Sequence, residues 1–163
     1  MRAPSDPYLF GLNAGFQGEV FGIAMYSRIA DARQDPSERD RWLTLVELER
    51  TTFSVLTPVI ARHGLSVQPE EQSRIDGYAE AADYLELPWR ALMQRFSTEL
   101  DVDITEYSRL LDICPEPDLR AVRFLVDHEH VTKAFCDLEL SGQTRVSLDP
   151  VHDLIASVDK TSF

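Results

Sequence analysis

Three glutamates in this chain lie where apolar side chains are expected. Glu19, Glu49 and Glu129 each fall at mid-length in the apolar stripe of a predicted helix. Because a buried, unpaired carboxylate is costly, three of them at similar depth indicate a shared cause, which is a metal ion, a buried arginine or lysine, or protonation. Together the three carboxylates could hold one hard cation, such as Mn(II), Mg(II) or Fe(II), with water completing the coordination.

The two halves of the chain repeat this pattern. The interval from Tyr26 to Glu49 is nearly the same as the interval from Tyr107 to Glu129. A threonine follows each of these glutamates at the third position: Thr52 and Thr132. The repeat indicates two similar helical hairpins that face each other across a common centre.

The pattern resembles the ferritin-like superfamily, in its rubrerythrin-like branch, over about residues 13–141. The residues that carry the resemblance are Gly18-Glu19, Tyr26, Ala30 and Glu49 in the first half and Tyr107 and Glu129 in the second. In that family each hairpin supplies one lone glutamate and one Glu-x-x-His pair, and these six side chains bind two iron or manganese ions that react with oxygen or peroxide or store iron. The resemblance implies metal roles for Glu19, Glu49 and Glu129.

Three positions depart from the family pattern. Thr52 and Thr132 stand where the family has histidines, and Leu100 stands where it has the fourth glutamate, with Glu99 and Asp103 beside it. A hydroxyl is a weak substitute for imidazole, and leucine cannot bind a metal. The family's two-metal site therefore cannot form here, and these threonines and acids are the neighbours of any residual site.

Two functional hypotheses follow from these departures. In the first, which the sequence favours, the chain is a ferritin-like protein with a degenerate di-metal site and a binding or interaction role, and it needs no metal cofactor. Its glutamates then bond to Thr52, Thr132 and nearby tyrosines or pair with a cation. In the second, the three glutamates hold a single divalent metal, Fe or Mn, and the protein is an oxidoreductase that acts with oxygen or peroxide. The sequence identifies no substrate or small-molecule ligand.

Helical periodicity dominates the chain and predicts an all-α fold that positions these residues. Prolines, glycines and capping residues divide the sequence into segments. Helices are predicted over 13–32, 36–63, 69–84, 88–113 and 117–140, with a last short helix that opens at Asp149-Pro150. The uneven connections predict a ferritin-like four-helix bundle of two antiparallel hairpins joined by a long crossover, with short extra helices.

The length of 163 residues suits a single domain over 1–163. Residues 1–12 are predicted to form an extended N-terminal arm, residues 13–141 the bundle, and residues 142–163 a C-terminal tail. Pro4, Pro7 and Gly11 are taken as the breakers of the arm.

The histidines carry separate predictions. His63 is expected to cap the negative end of its helix. His128 and His130 flank Glu129 and point roughly 100° away from it on either side, so neither is expected to share its direction. A polar stripe through Asp127 and His130 is expected to face water.

Four glycines recur on one side of the first predicted helix: Gly11, Gly15, Gly18 and Gly22. Small residues there would let another helix approach closely, and its source is either this chain or a second subunit. Simple packing is favoured over a ligand contact. A homodimer is the predicted assembly.

Charge and cysteine content exclude several classes of partner. Lys and Arg number 16 and Asp and Glu number 28, which gives a formal net charge of -12. A field of that sign repels phosphate backbones and acidic lipids, so neither nucleic acid nor a membrane is an expected partner. With no signal-peptide pattern and two lone cysteines, Cys114 and Cys136, the sequence predicts a cytoplasmic protein with free thiols.

Overall fold

The computed structural model describes residues 6–159 and is helical over most of that range. Its six α-helices are α1 Pro7–Ala32, α2 Pro36–Arg62, α3 Glu71–Glu80, α4 Trp89–Asp112, α5 Leu119–Leu140 and α6 Asp149–Asp159. Two short 3-10 turns, Ala81–Asp83 and Glu116–Asp118, come between α3 and α4 and before α5. No β-strand occurs among the described residues, so the predicted all-α class is confirmed.

Helix α1 begins earlier than the sequence predicted. Its N-cap is Asp6, whose carboxylate accepts hydrogen bonds from two backbone N–H groups of the first turn, and Pro7 occupies the first helical position. The predicted arm over 1–12 is therefore wrong from residue 7 onward, because proline at the first position of a helix favours the helix rather than breaking it. Residues 1–5 lie outside the described residues.

Most other helix boundaries lie close to the predicted ones. Helix α2 begins at Pro36 and has His63 as its C-cap, followed by Gly64 with a φ of 70°, a value that favours glycine. Helix α3 is shorter than the helix predicted over 69–84. It ends at Glu80, and a 3-10 turn follows it.

His63 also belongs to a polar cluster at this end of the fold. Asp118 is buried and accepts hydrogen bonds from the Tyr8 hydroxyl at 2.8 Å and from the Arg62 guanidinium at 2.8 Å. His63 Nε2 lies 2.6 Å from Asp118 Oδ2, the oxygen that also accepts from Tyr8, whereas Arg62 donates to Oδ1. The cluster ties the start of α1 and the end of α2 to the turn that precedes α5.

The helices pack as two pairs, α1 along α2 and α4 along α5. Helix α3 lies against α1, and contacts of α2 with α5 and of α1 with α4 join the two pairs. Two apolar clusters fill the interior, one around Trp42 and Phe135 and the other around Phe16 and Leu125.

Each of the four long helices passes from one apolar cluster to the other, and polar side chains occupy the segments between the clusters. We call this set the polar layer. It comprises Glu19 on α1, Glu49 and Thr52 on α2, Asp103 on α4, and His128, Glu129 and Thr132 on α5. The layer separates the two apolar clusters along these helices.

Helix α6 belongs to the core and is not a free tail. It packs against α5 and α2, Val151 is fully buried, and Leu154 contacts both apolar clusters. The predicted short helix at Asp149 is confirmed, but the description of 142–163 as a tail is wrong for this helix, because its apolar face needs cover. Residues 160–163 lie outside the described residues.

Cys114 and Cys136 are both free thiols, as predicted. Cys136 is buried in the apolar cluster around Trp42, whereas Cys114 is half-buried. Within residues 6–159, none of the helices combines the length and the apolar character that a membrane crossing requires.

Candidate metal centre

Three buried side chains of the polar layer bring their ligand atoms together. Glu19, Glu49 and His128 come from α1, α2 and α5, and they are 2%, 4% and 2% exposed. His128 Nδ1 lies 3.3 Å from Glu19 Oε2, and His128 Nε2 lies 3.2 Å from Glu49 Oε1. One ligand atom from each residue can be chosen so that all three lie within 4.8 Å of one another. We call these residues the Glu–His trio.

The Thr52 hydroxyl sets the orientation of the His128 ring. It donates its proton to the Leu48 carbonyl at 3.0 Å, so its oxygen is free to accept from His128 Nδ1, which lies 3.0 Å away. Because Nδ1 then carries a proton, Nε2 is the nitrogen available to a metal in the neutral ring. Thr52 thus supports the ring of His128 by accepting its Nδ1 proton.

Charge repulsion and burial shape the protonation of the trio. Burial raises the pKa of Glu19 well above its usual value, and the negative charge of Glu49 adds to this, while the charge of His128 opposes it. Burial by itself lowers the pKa of His128, but Glu19, Glu49 and Glu129 outweigh it and hold that pKa well above the usual value. Burial and mutual repulsion therefore favour the protonated form of Glu19, and the surrounding carboxylates favour the charged form of His128.

The donor set fits a single divalent transition-metal ion. Carboxylate and imidazole ligands lie about 2.0–2.2 Å from such an ion, so two of them are at most roughly 4.4 Å apart. The trio lies within 4.8 Å and needs a contraction of only a few tenths of an ångström. Glu19 Oε2 is buried and accepts no well-formed hydrogen bond in the described part of the chain, although His128 Nδ1 lies 3.3 Å from it. Mixed oxygen and imidazole ligands suit Fe(II) or Mn(II).

Glu129 is also buried, with 8% of the residue exposed, but it is not a member of the trio. Burial raises the pKa of Glu129 to about 8, Glu49 and Asp103 contribute to the increase, and the charge of His128 opposes it. Glu129 lines a cavity that Glu19 and Glu49 also line. Its predicted role as a metal ligand stays a prediction.

The other predicted neighbours lie around the trio in different roles. The Thr132 hydroxyl donates to the His128 carbonyl at 2.9 Å. Glu99 accepts a hydrogen bond from the Tyr84 hydroxyl and pairs with a nearby arginine, while Asp103 faces the cavity with its pKa raised to about 6 by burial and by Glu106 and Glu49.

Sequence reasoning missed His128. The apolar stripe of α5 is wide enough to contain two adjacent positions, and both His128 and Glu129 are buried on it. The detectable signal was the spacing of Leu125, His128, Thr132 and Phe135, which is that of a second inward row. The expectation that Asp127 and His130 face water is confirmed, because both are exposed.

The glycines of α1 face the interior of this chain. An added Cβ at Gly22 would collide with the Glu49 carboxylate, and one at Gly18 would lie 3.1 Å from the Tyr107 hydroxyl. At Gly11 and Gly15 the added atom would meet leucines of α4 and α5. The close partner that these small residues admit is therefore internal, and at Gly22 it is a member of the trio.

A cavity of about 400 Å³ opens beside the trio. Its wall carries six acids, which are Glu19, Glu49, Glu80, Glu99, Asp103 and Glu129. It also carries five aromatic rings, which are Phe21, Tyr26, Tyr84, Phe96 and Tyr107. No lysine, arginine or histidine is among the described residues that line it. The cavity has the size of a small-molecule site and a strongly acidic character.

Comparisons of the chain with family models, with curated proteins and with solved structures found no match. Its class is therefore argued from the arrangement of its own residues.

Proposed function

We propose that this protein binds one Fe(II) or Mn(II) ion at Glu19, Glu49 and His128 and acts as a metal-dependent oxidoreductase of ferritin-like descent. The observation that carries the proposal is the convergence of three potential ligands from three helices, all nearly inaccessible, with Glu19 Oε2 accepting no well-formed hydrogen bond from the described residues. The paired arrangement of α1 with α2 and of α4 with α5 supports a ferritin-like bundle.

The side chains of this chain have distinct roles in the proposed site. Glu19 and Glu49 neutralise the ion, and His128 Nε2 completes the protein ligands. Thr52 holds the proton of the ring on Nδ1 and fixes its plane. Gly22 leaves the space that the Glu49 carboxylate occupies.

An iron or manganese ion held there supplies a redox centre that can exchange electrons with oxygen or peroxide. With three protein ligands, the remaining positions are left to water or substrate. The adjoining cavity of about 400 Å³ gives a substrate access to the same side of Glu19 and Glu49.

The degenerate, metal-free hypothesis makes the opposite prediction for the same residues. In that case His128 is an imidazolium that bonds to both carboxylates, at 3.3 and 3.2 Å, and no ion is required. The Nδ1 side of that ring also contacts the Thr52 hydroxyl, and the buried Glu19 Oε2 accepts no well-formed hydrogen bond from it. This favours the metal-binding hypothesis, because a purely structural network is expected to satisfy its buried acceptors.

The test is metal content and affinity in four variants. Protein purified without chelator, and chelated protein titrated anaerobically with Fe(II) or Mn(II), should hold one ion per chain. Glu49→Gln and His128→Gln should weaken binding by more than the roughly 10- to 100-fold that loss of an outer partner causes. Glu47→Gln and His130→Gln are the matched controls, because both residues are exposed on the same helices. Absence of binding, or equal binding in all four variants, would contradict the proposal.

A further inference from the structure

The cavity beside the trio has a chemistry of its own that a metal ion does not explain. Only two of the six acids in its wall belong to the trio, so four have no part in that set. The cavity volume of about 400 Å³ also far exceeds the roughly 30 Å³ that one water molecule occupies. Five aromatic rings share the wall with these acids. Carboxylates together with aromatic faces are the surroundings that an organic cation prefers.

The acidic residues of the cavity wall differ in whether a protein group or water already compensates their charge. Glu99 is paired with Arg95 at 2.8 Å and accepts the Tyr84 hydroxyl at 2.7 Å, so its charge is already compensated. Glu80 is exposed to solvent, so water can hydrate its carboxylate. Neither acid requires a ligand.

Glu129 lacks such a partner. It is more than nine-tenths buried, it lines the cavity, and it accepts no hydrogen bond from the residues that the structure describes. Asp103 of α4 lines the same cavity and is half-buried. Two carboxylates from facing helices thus converge on space that no basic side chain of the described residues enters.

The apolar part of the wall extends from these acids. Tyr26 and Phe96 are buried with their ring centroids 5.5 Å apart, and Met25 and Leu100 lie beside them. A ligand that reaches from Glu129 across these rings is apolar along its length and cationic at its end.

We propose that this cavity binds a small alkylammonium or alkyldiammonium ion, with the ammonium group held by Glu129 and Asp103 and the alkyl chain against Tyr26 and Phe96. The inference goes beyond the metal site and does not rest on it, since Glu129 and Asp103 are not members of the trio. An ammonium group donates up to three hydrogen bonds, which matches two carboxylates with free oxygens.

The experiment is isothermal titration of the chelated protein with n-butylamine and 1,4-diaminobutane, beside 1-butanol and butyrate as neutral and anionic probes of the same length. The amines should bind at least about tenfold more tightly than the alcohol, because a charge-assisted bond to a buried carboxylate is lost with the ammonium group. Butyrate should not bind. Equal binding of amine and alcohol would overturn the proposal.

Variants locate the site and separate this proposal from the metal proposal. Glu129→Gln should weaken amine binding by about tenfold or more, and Asp103→Asn by severalfold. Asp112→Asn, which changes an exposed acid of α4 that does not line the cavity, should leave it unchanged. Metal content should persist in Glu129→Gln. If that variant lost its metal, Glu129 would be serving the ion, and the assignment to an organic cation would be overturned while the metal site stood.

Discussion

The pH dependence of stability follows from Glu129 and can be worked out in advance. Burial raises its pKa from 4.5 to about 8 in the folded protein. A raised carboxyl pKa stabilises the fold below the unfolded value, and the stabilisation is lost as the pH rises through the folded value. At about 1.4 kcal/mol per pKa unit, roughly 5 kcal/mol of unfolding free energy should disappear between about pH 4.5 and pH 8.

Two other buried groups also make the metal-free protein less stable as the pH rises. Glu19 has a raised pKa, and the pKa of His128 is also raised, so the stability that it contributes is likewise lost as the pH rises through its folded value. The metal-free protein should therefore be more stable at pH 5 than at pH 8. Proteins whose carboxylates are paired or hydrogen-bonded in the folded state tend instead to be most stable between about pH 5 and pH 8.

Urea unfolding of chelated protein at pH 5, 6.5 and 8 measures this effect. The variant Glu129→Gln cannot ionise at that position and should flatten the profile by several kcal/mol. Glu106→Gln, which is exposed, should retain the full dependence. If the wild type and Glu129→Gln changed in parallel over this range, the reasoning about the buried charge would be refuted.

Two further predictions concern the residues that support the trio. Thr52→Val keeps the shape of the side chain but removes the acceptor for His128 Nδ1, so metal affinity measured by titration should fall by about 10- to 100-fold. Thr51→Val, which removes a comparable hydroxyl bond to a backbone carbonyl without a histidine contact, should leave the affinity unchanged. Gly22→Ala places a methyl group against the Glu49 carboxylate and should destabilise the protein by about 1–3 kcal/mol in urea unfolding, with loss of metal binding. A fully stable Gly22→Ala protein with normal metal affinity would be inconsistent with this close contact.

Most helix boundaries were predictable because local signals agreed with one another. Asp35-Pro36 at a helix start and Gly64 after a helix end marked the limits of α2 correctly. The same Asp-Pro signal exists at Asp6-Pro7, but Gly11 and the nearby prolines favour an extended arm when the sequence alone is considered. Packing of Leu110 against Gly11 shows why a glycine is acceptable inside α1.

The site was only partly predictable for a geometric reason. A carboxylate in an apolar stripe is conspicuous, and Glu19 and Glu49 were recognised in this way. His128 was missed because a bundle helix buries two adjacent rows, and the sequence gives no sign of which row meets a facing carboxylate. Which side chains converge depends on the rotation of α5 against α1 and α2, and that rotation is a tertiary property.

The polar layer makes the whole molecule depend on what its centre holds. All four long helices cross it, so like charges that repel one another there loosen every helix at once rather than fraying one end. A ligand that binds only the folded state adds stability in proportion to the logarithm of its concentration over its dissociation constant, about 2.7 kcal/mol at a hundredfold excess. On the proposed metal site, a freshly synthesised chain would be most susceptible to proteolysis before it is loaded, and its lifetime in the cell would follow the supply of iron or manganese.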